Sequence, residues 1–131
     1  MTIFSKIIAG EIPCYKVAES PDFFAFLDIN PIAKGHVLVI PKKETDYLFD
    51  LDDSTLGNMM IFSKRVAAAI KKAIPCNRIG VTVIGLEVPH AHIHLVPITK
   101  ETDMLFNKLK QKFTSEEFKE IAAAIAANFT T

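Results

Sequence analysis

Hydrophobic and polar positions divide this chain into short extended runs and two longer helical ones. Residues 3–9 form an apolar and basic segment that Gly10 ends, and Ile12-Pro13 marks a turn. Residues 15–19 and 23–28 read as strands on either side of the turn signal Ser20-Pro21-Asp22. After a break at Asn30-Pro31, residues 36–40 make a β-branched run that Pro41 stops, with His36, Leu38 and Ile40 on one face. Asp52-Asp53-Ser54 offers a helix N-cap and negative charge at the positive end of the helix dipole. Leu56, Met59, Met60, Ala67 and Ile70 then recur at helical spacing, so residues 54–74 are the main helix, ended by Pro75, and the Met pair belongs to its core stripe. Residues 78–84 and 88–97 read as strands about the turn Gly85-Leu86-Glu87, and 100–113 as loop with short elements. Thr114-Ser115-Glu116-Glu117 fits a capping box, and Phe118, Ile121, Ala122, Ile125 and Phe129 predict a C-terminal amphipathic helix over about 114–129. Strands grouped on either side of the first long helix argue for an α+β fold with an antiparallel sheet.

Composition narrows the function classes without naming one. The 131 residues fit a single domain with one core. Half of them are apolar, ten are Phe, and Gly and Pro number only 5 and 7, so the chain is globular rather than disordered. Fifteen basic residues balance fifteen acidic ones, which removes the electrostatic case for a duplex nucleic-acid binder or a membrane-surface protein. No secretory signal or membrane span is legible, and Cys14 and Cys76 form neither a disulfide framework nor a zinc knuckle. A cytoplasmic protein whose two cysteines are small buried or half-buried side chains is the expectation.

Candidate chemistry concentrates in His90-Ala91-His92-Ile93-His94-Leu95-Val96-Pro97. On a strand, three imidazoles would share one face and Ala91, Ile93 and Leu95 the other. Three readings compete. A purely structural row would need a partner for each ring and would suffer mutual repulsion on protonation. A metal site is limited by reach: the outer two histidines of an extended strand lie about 13 Å apart, although two of them with His36 could serve, and Glu87 is the sole nearby carboxylate. The third reading is nucleophilic and acid/base chemistry on phosphorus, with one neutral imidazole attacking and its neighbours stabilising charge and serving the leaving group.

These residues resemble the histidine triad (HIT) family of nucleotide hydrolases and transferases, whose signature alternates His with apolar positions as residues 90–96 do. Ile3-Phe4-Ser5-Lys6-Ile7-Ile8-Ala9-Gly10-Glu11-Ile12-Pro13, Phe26-Leu27-Asp28-Ile29-Asn30-Pro31 and Gly35-His36-Val37-Leu38-Val39-Ile40-Pro41-Lys42 extend the likeness over residues 2–97. The resemblance implies a HIT-like five-stranded antiparallel sheet with one long central helix and a C-terminal helix, joined to its copy across a homodimer. It implies an AMP-type purine nucleotide as ligand, with His92 attacking the α-phosphate to form a nucleotidyl-histidine that water hydrolyses. His36, His90 and His94 would organise the nucleophile, phosphate and leaving group, and Asp28 would bind the ribose hydroxyls. Ile3, Phe4, Ile7, Ile12, Phe26, Ile29 and Leu38 match positions lining the base pocket. No metal or cofactor is implied for the chemistry.

The chain departs from the family pattern just before the triad. Val83-Ile84-Gly85-Leu86-Glu87-Val88-Pro89 is a shortened approach loop in which Leu86 replaces a glutamine and Glu87 a small polar donor to phosphate. An ionised carboxylate accepts hydrogen bonds and repels phosphate, so the usual contacts are partly missing or rebuilt. Ser5 stands where some bacterial members carry a zinc-binding cysteine, and an extended C-terminus replaces the short tail of Hint-type members. Three functions therefore stand open: a hydrolase or phosphoramidase, a weakly catalytic nucleotide sensor on the same scaffold, and, behind these, a histidine-based metal site.

Overall fold

The computed structural model describes residues 1–107 and 109–130. In chain order the elements are α1 (Ile3–Ile8), β1 (Lys16–Glu19), β2 (Phe23–Leu27), β3 (Val37–Pro41), α2 (Asp53–Ala73), β4 (Arg78–Thr82), β5 (Ile93–Ile98) and α3 (Ser115–Ala127), with 3₁₀ turns at Leu48–Asp50 and Glu101–Met104. The strands form one antiparallel sheet in the order β1-β2-β3-β5-β4. The α+β class, the five strands and both long helices match the sequence expectation.

Both faces of the central strands are covered, which is why β2 and β3 read as continuous apolar runs and not as alternating ones. One face, through Val17, Phe23, Ala25, Leu27, Val37, Val39, Ile93 and Leu95, packs on Met59, Phe62, Val66, Ala69 and Ile70 of α2 and on Phe118, Ile121, Ala122 and Ile125 of α3. The other face carries Phe24, Phe26, Leu38 and Ile40, covered by Phe4 with Ile7 and Ile8 of α1 and by Val88. Cross-strand register runs Phe26, Leu38, His94 and Thr82 in one row, so His94 shares this second face.

Caps fix the helices as the sequence predicts. Asp52 accepts from the Thr55 N–H at 2.7 Å, and Thr114 and Glu117 close a reciprocal capping box. Met60 departs from its predicted place. It is 48% exposed, while Phe62, Ser63 and Val66 complete the buried stripe. Pro41 also lies within β3 rather than beyond it, at the strand end opposite Phe23, where its missing N–H is harmless.

The largest departure concerns the histidine run. Only His94 lies in β5; His90 and His92 precede the strand in a bent segment. An alternating strand face is therefore not what gathers the imidazoles, and side-chain hydrogen bonds do that work.

Candidate active site

All four histidines are buried, His36 and His90 to 1% exposure or less. His36 enters through the loop from Asp28, where Asp28 N–H bonds the His36 carbonyl at 3.0 Å. Gly35 makes that entry possible: its φ is +87°, and a Cβ there would lie 2.9 Å from Ile74 and 3.2 Å from Pro97. The backbone N–H of Ile32 donates to His36 Nδ1 at 3.1 Å. Nδ1 is thus the lone-pair nitrogen, and His36 Nε2 carries the proton that it donates to His94 Nδ1 at 2.9 Å. His94 in turn keeps its proton on Nε2.

Burial, more than the mutual repulsion expected from a histidine row, keeps this pair neutral. Both rings are pushed down to about 3, chiefly by loss of water, with Lys110 and His92 adding for His36, and His36 and His92 for His94. Asp28 Oδ2 lies 3.6 Å from His36 Nε2, too long for a hydrogen bond, and with His36 neutral the contact is not an ion pair. Asp28 Oδ1 accepts from the Asn30 N–H at 2.8 Å.

His92 is held the opposite way. Its Nδ1 lies 2.7 Å from the carbonyl oxygen of His90, which can only accept, so Nδ1 bears the proton and Nε2 keeps its lone pair. The His90 ring donates from Nε2 to the Pro41 carbonyl at 2.8 Å and takes the Thr2 hydroxyl on Nδ1 at 2.7 Å. Behind Thr2, Ser5 donates to Glu44 at 2.7 Å, and Glu44 also accepts the Thr2 N–H at 2.7 Å. Burial lowers the His90 pKa, against the Pro41 carbonyl and the Glu44 charge, which raise it. Phe4 meets both rings edge-on, at 5.1 Å from His92 and 5.7 Å from His90.

The sequence-predicted residues fall into two groups. Phe4, Ile7, Phe26 and Leu38 come together on the histidine side of the sheet. Ile3 and Ile29 are exposed, and Ile12 is half-buried outside that cluster. Ile29 lines a groove with Pro13, Cys14 and Tyr15 against α3. Glu87 points to the surface, as does Leu86 at 88% exposure. Sequence reasoning missed Thr2, Glu44 and the Pro41 carbonyl, and it missed Phe106, whose ring stands 4.8 Å from His94 and 5.8 Å from His36. Thr2-x-x-Ser5 before an apolar run was the one legible signal, as an N-cap; Thr2 does accept from the Ser5 N–H at 3.0 Å.

A metal finds poor footing here. Among the described residues, Asp28, His36 and His94 bring a ligand atom each within 4.8 Å of one another. Binding through His36 Nε2 would displace its proton to Nδ1, where it would oppose the Ile32 N–H. Among the described residues, the hydrogen bonds instead set out one free lone pair and one free N–H side by side: the His92 and His94 rings are 4.9 Å apart.

Comparison with known proteins gives the family. The HIT domain matches residues 9–102. An uncharacterized HIT-like protein of Borreliella burgdorferi is 36% identical over 96% of this chain and 96% of its own length. The adenosine 5'-monophosphoramidase of Saccharomyces cerevisiae is 42% identical over 72% of this chain and 61% of its own. A crystal structure of a Hit-like protein from Bartonella henselae superposes with a TM-score of 0.84 at 35% identity, covering 98% of this chain and 96% of that one. With the matched domain spanning all five strands and the histidine run within it, the chain belongs to the HIT domain family.

Proposed function

We propose that this protein is a nucleotide-binding hydrolase that cleaves a phosphoramidate or phosphoanhydride bond at the α-phosphate of a purine nucleotide. The observation that carries this reading is the distribution of lone pairs. Among the described residues, the lone-pair nitrogens of His36, His90 and His94 are occupied by Ile32, Thr2 and His36, and that of His92 is not. His92 Nε2 is therefore the nucleophile. It attacks the α-phosphorus; the bond to the leaving nitrogen or oxygen breaks, its electron pair goes to the leaving atom, and that atom takes a proton from water. As Nε2 becomes bonded to phosphorus the ring turns cationic, and its Nδ1–H lies on the His90 carbonyl, where that charge is stabilised. Water then attacks phosphorus and gives its proton to the hydroxide left when the leaving atom was protonated, the P–N pair returns to Nε2, and the nucleoside monophosphate leaves. His94 Nε2–H donates to a phosphoryl oxygen, with His36 fixing its tautomer. Asp28 accepts from the ribose, and the base lies against the apolar residues of the α1 side.

Residues 1–131 are read as one HIT domain with a C-terminal extension. A homodimer joined through β4 is supported by its place at the edge of the sheet and by exposed Val81, Val83 and Ile84 on and after it. With adenosine 5'-phosphoramidate as substrate, His92→Ala is expected to lower AMP release about 10⁴-fold. Retained turnover would overturn the assignment. The exposed Leu86 and Glu87 favour a second reading, a nucleotide sensor of low activity. That reading gains if Glu87→Ser raises hydrolysis sharply in a protein that already binds AMP tightly.

A further inference from the structure

Phosphate chemistry asks for positive charge, and the usual source is thin in this chain. The approach loop offers Leu86 and a carboxylate, Glu87, both pointing to the surface. Two of the histidines that face the site, His36 and His94, are neutral at neutral pH. A bound phosphate dianion would be left without a compensating cation on that side.

The segment after β5 supplies one. It is tied down on both sides of the site: Asp103 accepts from the Thr99 and Lys100 N–H groups at 2.8 and 3.0 Å, and the Gln111 N–H donates to the Pro31 carbonyl at 2.8 Å, in the same loop that delivers Asp28 and His36. Between these anchors Phe106 stands edge-on to His94 and His36. Lys110 folds back over the same ring. Its ammonium donates to the Phe106 carbonyl at 2.8 Å and sits 5.5 Å from the ring centroid. An ammonium has three donors, so two remain without a partner among the described residues.

Lys110 stands outside the surface ion pairs among the described residues. Lys16 and Lys42 share Glu19, and Lys119 pairs with Glu116. Lys110 is half-buried and meets no carboxylate among the described residues. Its positive charge reaches the site, since it opposes protonation of both His36 and His94.

We propose that Lys110, positioned by Phe106, is the phosphate-binding cation of this site and takes over the role that the Gly85-Leu86-Glu87 loop does not fill. The inference rests on the nucleotide-hydrolase reading above. It assigns the extension a specificity role: ligands carrying a phosphate are selected over the bare nucleoside by a residue outside the triad and its approach loop.

The test is calorimetric titration of the full chain with AMP and with adenosine, for wild type, Lys110→Met and Lys110→Arg. Lys110→Met is expected to weaken AMP about tenfold or more while leaving adenosine unchanged, because a charge-assisted hydrogen bond is lost and the apolar stem is kept. Lys110→Arg should restore most of the AMP affinity, and raising salt should weaken AMP binding in wild type more than in Lys110→Met. Unchanged AMP affinity in Lys110→Met overturns the proposal. So does a parallel loss for AMP and adenosine, which would mean that Lys110 merely holds the segment in place. Wild type that binds neither ligand refutes the nucleotide reading itself, a distinct result.

Discussion

His36 and His94 are locked by one kind of partner and His92 by another, and the difference sets their chemistry. A backbone N–H feeds the first pair, so each ring accepts on Nδ1 and is left with a proton to give at Nε2. A backbone carbonyl holds His92, so the ring donates from Nδ1 and is left with a lone pair at Nε2. The same side chain thus becomes a donor or a nucleophile according to whether the main-chain group beside it is N–H or C=O. The second contrast is depth. The donor pair hangs on a buried N–H in the loop between β2 and β3, whereas His90, equally buried itself and resting on the Pro41 carbonyl, is also held by hydroxyls that lead out to an exposed carboxylate.

The sharpest way to break the comparison is at its deeper end. His36→Phe keeps a ring of similar outline but leaves the Ile32 N–H and His94 Nδ1 without partners, so both desolvation penalties are incurred at once. Urea unfolding should show a loss of about 3 kcal/mol. Turnover should fall about 100-fold as well, since His94 is freed to adopt either tautomer. A variant as stable and active as wild type would show that the donor pair is ornamental.

Titration probes the same end with the native sequence. The His36 and His94 pKa values are depressed from 6.5 to about 3 on folding, so between those pH values the unfolded chain binds more protons than the folded one. Stability from this source is fully present above pH 6.5 and declines as pH falls toward about 3. Each histidine contributes a slope of up to ~1.4 kcal/mol per pH unit, and His90, also depressed, adds in the same direction. Thermal or urea unfolding between pH 7.5 and 5 measures it. His36→Phe should flatten the dependence by the share of one imidazole.

Legibility in the sequence followed the same division. Periodicity and caps located both long helices and all five strands, because burial on the sheet faces is what writes that pattern. The histidine run announced the site through its residue type, yet the strand geometry first inferred for it applies to His94 alone. The tautomers were beyond reach, since they depend on carbonyls and hydroxyls brought in by tertiary folding: Thr2 is 88 residues from His90, and Pro41 is 49 away. Phe106 was hidden for a similar reason. It lies in a stretch without periodicity, and only the return of the chain past Pro31 lays it on His94.

At the shallower end the effects should shrink in step with exposure. Thr2→Val removes the α1 N-cap and the hydroxyl on His90 together, for about 1 kcal/mol. Glu44→Gln is milder, because an amide oxygen can still accept from Ser5 and from the Thr2 N–H, and only the charge disappears. That charge raises the proton affinity of His90, so the His90 titration followed by NMR should move to lower pH, with His36 and His94 unmoved. In the neutral ring the Thr2 proton goes to His90 Nδ1. When the ring is protonated, Thr2 must instead accept from it and donate to Ser5, 3.2 Å away, which already donates to Glu44. Removing the carboxylate charge therefore costs the protonated state alone, and turnover at pH 7.5 should change by no more than about twofold. A loss as large as that of His36→Phe would mean that the hydroxyl chain, and not the backbone carbonyl, fixes the nucleophile.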